Sequence, residues 1–449
     1  MVRVIGGGFA GAEAAWQLAR LGVPCVLSEM RPLRQTPAHR TGGLAELVCS
    51  NSFKAERPGS AAGTLKAEME LLGSLCVETA KRTRVPAGGA LAVDREAFSR
   101  EVTRRIEEEP LIELRREEVT QIPDGMTIIA AGPLASDALA ADIQRLCGNG
   151  LHFYDAAAPI VTAESVDMAH AFFSSRYERG GEDDYLNCPM NKEQYEAFEA
   201  ALLAAERAYT HDFDVYEGCM PIEVLASRGK DAIRYGPMKP VGLRDPRTGH
   251  RPWAVLQLRR ENTEGTLYNL VGFQTNLKFG EQKRVFGMIP ALRGAAFARY
   301  GVMHRNTFLD SPRLLREDFS CRLRDGLYFA GQITGVEGYM ESAASGILVG
   351  RNVARALQGL PPLKLPPETM LGALSRYISD AGVKDFQPMG ANFGILPGLD
   401  ERIRDKKARY EALGKRAVEA MEGVLKNPPA ALASPAGAAS LRFPPTGGF

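Results

Sequence analysis

The chain has 449 residues, 45% of them apolar and 24% charged, with a formal net charge of +1, which is material for roughly two to three packed domains. A charge this close to zero gives no global field for nucleic acid or membrane, so an anionic partner must be met by local patches. No apolar run approaches the ~18 residues of a membrane span, and the chain opens on a strand rather than a leader; the expected location is the cytoplasm.

In chain order, "VRVI" reads as a buried strand followed at once by Gly6-x-Gly8-x-x-Gly11. Ala14, Leu18 and Leu21 then recur at helical spacing until Gly22. Gly6 permits the tight turn, Gly8 lets a backbone approach a pyrophosphate, and Gly11 lets helix and strand pack closely. With Gly7, Phe9 and Ala10 between them, these residues aim a helix N-terminus at phosphates. A second strand, "VPCVLSEM", ends on Glu29, placed to accept hydrogen bonds from a ribose, with Met30 and Arg31 next.

"ELVCSNSFKAERPG", residues 46 to 59, sets Cys49 before three capping residues, with Lys54 and Arg57 nearby. "TIIAAGP", residues 127 to 133, reads as a strand ending at Ala131 and Gly132. The next stretch holds a hairpin in "AFFSSRYERGGEDDYLNCPM", a helix in "NKEQYEAFEAALLAAERA", and strands in "WAVLQLRREN" and "LYNLVGFQT". In "VYEGCMPIEVLA", residues 215 to 226, Pro221 and Glu223 suit a first helical turn, so the spacing predicts a helix beginning at about Cys219. A thiol at that position has a lowered pKa; a small buried hydrophobe is the other reading.

Far downstream, residues 325 to 357, "DGLYFAGQITGVEGYMESAASGILVGRNVARAL", give a buried strand, Gly331, Gln332, a glycine-rich loop and a small-residue helix. Flavoproteins of the glutathione-reductase type use such a segment beside the isoalloxazine, so three separated pieces converge on FAD rather than NAD. No second G-x-G-x-x-G occurs, and a nicotinamide donor would dock transiently. The seven cysteines (25, 49, 76, 147, 188, 219 and 321) show no C-x-x-C and no histidine ligands, which supports neither a disulfide framework nor a metal site.

The expected fold is α/β: a Rossmann-like FAD-binding domain with an inserted α+β domain and a helical C-terminal region. Its parts are residues 1–135 and 300–362 for the FAD domain and 136–299 for the insertion. Residues 363–426 read as helical, with a 3.6-residue rhythm from Arg402, and 427–449 form a Pro/Ala-rich tail.

"GGGFAGAEAAW", "CSNSFKAE", "EGCMPIE", "RYGPMKPVGL", "GFQTNLKFGEQKRVF", "MHRNTF" and "FAGQITGVEGYMESAASG" together resemble the TrmFO family. These are folate- and FAD-dependent tRNA (uracil-5-)-methyltransferases, and the likeness spans roughly residues 1 to 425. The late segment is also similar to the longer flavoprotein family MnmG (GidA). The TrmFO resemblance implies transfer of a methylene from 5,10-methylenetetrahydrofolate to C5 of a T-loop uridine, at tRNA position 54, and its reduction through FAD by NADH or NADPH. Uracil C5 becomes nucleophilic once a thiolate adds to C6, and a second group must remove the C5 proton. Carried over by motif, Cys49 and Cys219 are that pair, in an order left open. Tyr339 is expected near the flavin, shielding the ring or touching Cys49, unless it only packs at the helix start.

The same resemblance makes Gln274, Asn276, Lys278, Lys283, Arg284, His304, Arg305 and Asn306 a pool for folate. For tRNA phosphates, residues 402 to 416 offer seven cations, among them Arg402, Arg404, Lys406 and Lys407, against two acids; a solvated helix face would look the same. The alternatives are an MnmG-like wobble-uridine enzyme and a non-catalytic flavin-dependent RNA-binding protein.

Overall fold

The computed structural model describes residues 1–36, 38–148, 151–156, 158–178, 181, 184–208, 220–262, 265–301, 303–383 and 386–426, with backbone alone at 151–156, 178 and 303–307. Cys219 and the tail 427–449 lie outside these residues.

A five-stranded sheet forms the base of the molecule, in the order Leu327–Phe329, Thr127–Ile129, Val2–Ile5, Cys25–Glu29, Ile112–Arg116. Every pairing in it is parallel. Parallel strands are covered on both faces and so read as short, nearly continuous apolar runs, as "VRVI", "TII" and "LYF" do. The helix Phe9–Arg20 follows the first strand and crosses the long helix Tyr339–Leu357. Small residues make that crossing close: Gly346 faces the backbone of Ala10, and Gly350 that of Ala14. A small antiparallel sheet, Ser52–Ala55, Ala90–Val93 and Arg84–Val85, flanks this module.

Two antiparallel strands, Leu151–Ala156 and Met303–Phe308, run side by side where the chain leaves and re-enters the base. Beyond them a six-stranded antiparallel sheet takes the order Phe172–Phe173, Tyr185–Met190, Ala254–Arg260, Leu267–Leu270, Ile160–Thr162, Phe297–Arg299. Helices Lys192–Leu203, Ile222–Ser227 and Phe279–Phe286 close its core through Tyr195, Phe198, Leu202, Ile222, Val285 and Phe286. The fold is thus α/β with an α+β insertion, as expected. The first core extends past residue 135, since Leu139 and Ile143 of the helix Asp137–Cys147 belong to it.

Two expectations are corrected. Residues 363 to 426 are not evenly helical: helices occupy Met370–Ser379 and Lys406–Lys426. Between them Pro388, Pro397, Gly390, Gly394 and Gly398 remove donors and favour turns. The last helix starts at Lys406 because the Asp405 carboxylate accepts from the Ala408 N–H at 2.7 Å; Arg402 and Arg404 precede it. The second concerns the helix expected from about Cys219, a residue that itself lies outside the described ones. It begins at Ile222, after Pro221, and is six residues long. Both C-terminal helices dock on the first core through Met370, Leu371, Leu374, Leu413 and Met421. Among the described residues no helix is long and apolar enough to cross a membrane.

Candidate active site

The glycine loop forms one wall of an elongated cavity. Gly6, Gly8, Phe9, Ala10, Glu29, Met30, Arg31, Ala131, Gly132, Gly331 and Gln332 all line it. Gly6 has φ +101°, which strongly favours glycine, and a Cβ on Gly11 would overlap the Gly6 carbonyl oxygen. Nothing lies within 4 Å of where a Cβ would stand at Gly8 or Gly132, so the backbone is bare towards the cavity. Gly7 acts from behind, its N–H donating to Glu29 Oε2 at 2.7 Å.

Glu29 is buried in an ion cluster. Its Oε1 accepts from the Arg31 N–H at 2.9 Å and from Arg31 Nε at 2.8 Å, while Arg31 Nη1 reaches Glu46 Oε2 at 2.9 Å. Burial pushes the Glu29 carboxyl up, but the hydrogen bonds and charge of Arg31, with the Gly7 N–H, outweigh it and hold it below the usual carboxylate range. The carboxylate therefore faces the cavity ionised. Sequence reasoning missed His39, Glu46, Glu117 and Ser136, which also line this space. Glu117 arrives through the parallel pairing of Ile112–Arg116 beside Glu29, a juxtaposition that no local motif announces. A glycine cradle bare towards the cavity, a helix N-terminus and an ionised carboxylate beyond it fit a dinucleotide such as FAD.

A second cavity, of about 340 Å³, adjoins the first through Val48, Gln332, Tyr339 and Ser342. Cys49, Lys54, Arg259 and Gln274 line it too, so it lies between the base and the insertion. Cys49 Sγ is 3.0 Å from the Tyr339 hydroxyl. The backbone N–H groups of Val48 and Cys49 donate to that same oxygen at 2.9 and 2.8 Å. A phenol oxygen has two lone pairs and one proton; two N–H donors occupy the lone pairs, which leaves the O–H to donate to sulfur. Burial, and then the neighbouring Cys49, push the Tyr339 phenol well above its ordinary value, so it stays protonated and can make that donation. The thiol thus has a donor aimed at it, the arrangement that favours thiolate.

The remaining candidates scatter. Asn276 is buried and lines neither of these cavities, and its backbone N–H donates to the buried Glu223 at 2.7 Å. Lys278 is exposed and pairs with Glu206 at 2.6 Å, and Arg284 pairs with Glu281 at 2.6 Å. His304, Arg305 and Asn306 stand on the connecting strand opposite Asp155, Tyr154 and Phe153, with side chains outside the described residues. Arg402, Arg404, Lys406 and Lys407 are exposed at and before the last helix, and Lys407 lies 3.9 Å from Glu411. That helix packs where Pro58 and Gly59 follow the Cys49 segment. Arg259 itself was missed, because nothing in "LQLRREN" says which arginine turns inward.

The parallel sheet, the glycine cradle and the thiol-bearing cavity beside it define an FAD-binding flavoprotein of the glutathione-reductase type. Comparison with known proteins agrees. Residues 1–361 match the family model described as Glucose inhibited division protein A, GIDA. The chain is 54% identical over 430 residues to the methylenetetrahydrofolate--tRNA-(uracil-5-)-methyltransferase TrmFO of Enterococcus faecalis, covering 95% of this chain and 99% of that one. It is 58% identical over 426 residues to the protein of the same name from Pelotomaculum thermopropionicum, covering 94% and 97%. Among solved structures, Aquifex aeolicus GidA shares the fold at a TM-score of 0.68, with 16% identity over 95% of this chain and 78% of that one. The chain belongs to the TrmFO family within these GidA-like flavoproteins.

Proposed function

We propose that this protein methylates C5 of a uridine in tRNA, in the T-loop at position 54, as a cytoplasmic enzyme. 5,10-Methylenetetrahydrofolate would give the carbon, and NADH or NADPH the electrons. The observation that carries the reading is the Cys49 thiol, hydrogen-bonded by Tyr339 and lining a cavity that adjoins the dinucleotide cradle. Gly6, Gly8, Glu29, Gly132 and Gly331 would hold FAD. When bound, FAD supplies the reducing equivalents that turn the transferred methylene into methyl.

The chain's own residues would do the rest. A cysteine thiolate adds to uracil C6, C5 attacks the methylene carbon, a base takes the C5 proton as the methylene–nitrogen bond to the folate breaks, and the sulfur leaves once that methylene has been reduced to methyl. Cys49 and Cys219 would divide the addition and the proton transfer, with Tyr339 tuning Cys49. Gln274 reaches the second cavity from the insertion and would position folate or uracil. Because a T-loop uridine is stacked, it must be flipped to enter, and the exposed cations from Arg402 to Lys407 would hold the backbone.

The test is incubation of the FAD-loaded protein with unmodified T-arm RNA, methylenetetrahydrofolate and NADPH, followed by nucleoside mass spectrometry. Formation of 5-methyluridine, lost in Cys49→Ala and Cys219→Ala, is expected; full activity in both variants refutes the mechanism. The GIDA match over residues 1–361 favours a second reading, wobble-uridine modification, which the same mass analysis would reveal as a different product.

A further inference from the structure

Arg259 stands on the insertion strand Ala254–Arg260 and is only 5% exposed. Its Nε donates to Asn51 Oδ1 at 2.9 Å and its Nη2 to Ser50 Oγ at 2.9 Å, the two residues that follow Cys49. Asn51 is itself fixed, its Nδ2 donating to the Val93 and Arg260 carbonyls at 3.0 and 2.9 Å. The guanidinium is therefore held in one orientation while it lines the same cavity as Cys49.

Both of these partners are neutral. The carboxylate two residues away, Glu261, is engaged by Arg95 at 2.9 Å. Among the described residues Arg259 forms no ion pair with a carboxylate. Burial, the largest influence on it, disfavours its charged form. A guanidinium stays protonated even so; the nearby charge of Glu261 offsets only part of the burial, and a buried cation whose charge is incompletely balanced is costly. Such a group is stabilised when negative charge develops beside it.

The reaction proposed above develops such a charge. As the S–C6 bond forms, the C5=C6 pair moves to C4–C5 and the C4=O4 pair moves onto O4, leaving an enolate. We propose that Arg259 is a catalytic residue that donates a hydrogen bond to uracil O4 as this enolate forms. No proton is transferred from it: C5 delivers the electron pair to the methylene carbon, the C5 proton then leaves to a base as the bond from that carbon to the folate nitrogen breaks, and, once the exocyclic methylene has been reduced to methyl with the two electrons that bound FAD would supply, the S–C6 bond breaks as C5=C6 re-forms. The role holds whichever cysteine attacks. Ser50 and Asn51 make it possible by fixing the orientation of the guanidinium through Nη2 and Nε, with Tyr185 as a further hydrogen-bonding neighbour, while it lines the cavity. This inference rests on the methyltransferase reading.

The test uses the FAD-loaded protein in single-turnover methylation of T-arm RNA. Arg259→Gln is expected to slow the chemical step by about 10²- to 10³-fold, the loss seen when one oxyanion donor is removed. Its RNA affinity and its rate of flavin reduction by NADPH should stay near wild type, and Arg259→Lys should recover part of the rate. RNA carrying 4-thiouridine at the target, a weaker acceptor at the contacted atom, should narrow the gap between wild type and Arg259→Gln; 2-thiouridine should leave it unchanged. If Arg259→Gln does not fold, Arg259→Lys is compared with wild type on the same two RNAs. A rate within threefold of wild type, a loss confined to RNA affinity, or an equal gap on all three RNAs overturns the assignment. A wild-type protein that makes no 5-methyluridine refutes the parent reading instead.

Discussion

Replacing Tyr339 by Phe removes one oxygen and disturbs three hydrogen bonds. The Val48 and Cys49 N–H groups, at 2.9 and 2.8 Å, lose their acceptor, and Cys49 Sγ, at 3.0 Å, loses its donor. A buried donor left without a partner costs about 1–3 kcal/mol. Val48 and Cys49 are only partly buried, so the stability loss should sit near the lower bound, about 2 kcal/mol for the two donors. The sulfur feels a different effect. A hydrogen bond donated to the sulfur favours its charged form; without the phenol, Cys49 should need a higher pH to become half-reactive. Iodoacetamide alkylation of the Cys49 peptide, followed by mass spectrometry from about pH 6 to about pH 10, measures that midpoint. A midpoint unchanged or lowered in a variant that melts normally would show that the phenol does not donate to the sulfur, contrary to the lone-pair argument.

Three further outcomes are expected. Glu29→Ala leaves the buried Arg31 with Glu46 alone and should cost about 3 kcal/mol, with loss of bound flavin; wild-type flavin content after dialysis would contradict the placement of the cradle. Gly11→Ala forces its Cβ into the Gly6 carbonyl and should yield a protein without flavin and with a lower urea midpoint, whereas an unchanged midpoint would mean that the loop yields freely. Glu68 is buried beneath the helix Met370–Ser379, accepting from the Met370 and Leu371 N–H groups at 2.6 and 2.9 Å; burial, only partly offset by those bonds, pushes its carboxyl from 4.5 up to about 8. Because the folded value lies above the unfolded one, the folded state binds the proton more tightly, so this contribution is complete below 4.5 and is lost as pH rises towards about 8. Relative to Glu68→Gln, wild type should therefore lose melting temperature across that window, and a relative gain would reverse the assignment.

Much of the architecture was legible locally. The glycine fingerprint works because turn, phosphate approach and helix packing all fall within six residues, and the strands "VRVI", "TII" and "LYF" are short apolar runs because parallel strands are covered on both faces. The hairpin and the strands of the insertion follow from alternation and turn residues in the same way. The helix expected from about Cys219 is first described at Ile222, because helix-compatible residues do not by themselves say where the first hydrogen-bonded turn closes. Prolines and glycines between 380 and 405 overrode a helical rhythm that looked continuous.

What sequence alone determined about this protein is the set of groups whose meaning is local: the dinucleotide cradle, the ionisable residue ending its second strand, and the thiols and late helix that mark the family. Tertiary structure decided which of them meet. Cys49 and Tyr339 are 290 residues apart in the chain yet share hydrogen bonds, and Arg259 reaches Asn51 across 208 residues. Equally, it left Asn276 buried outside the linings of both cavities. Spacing within a helix or strand records only neighbours a few residues away, whereas a buried charge or a polarised thiol depends on what the rest of the chain brings into contact with it.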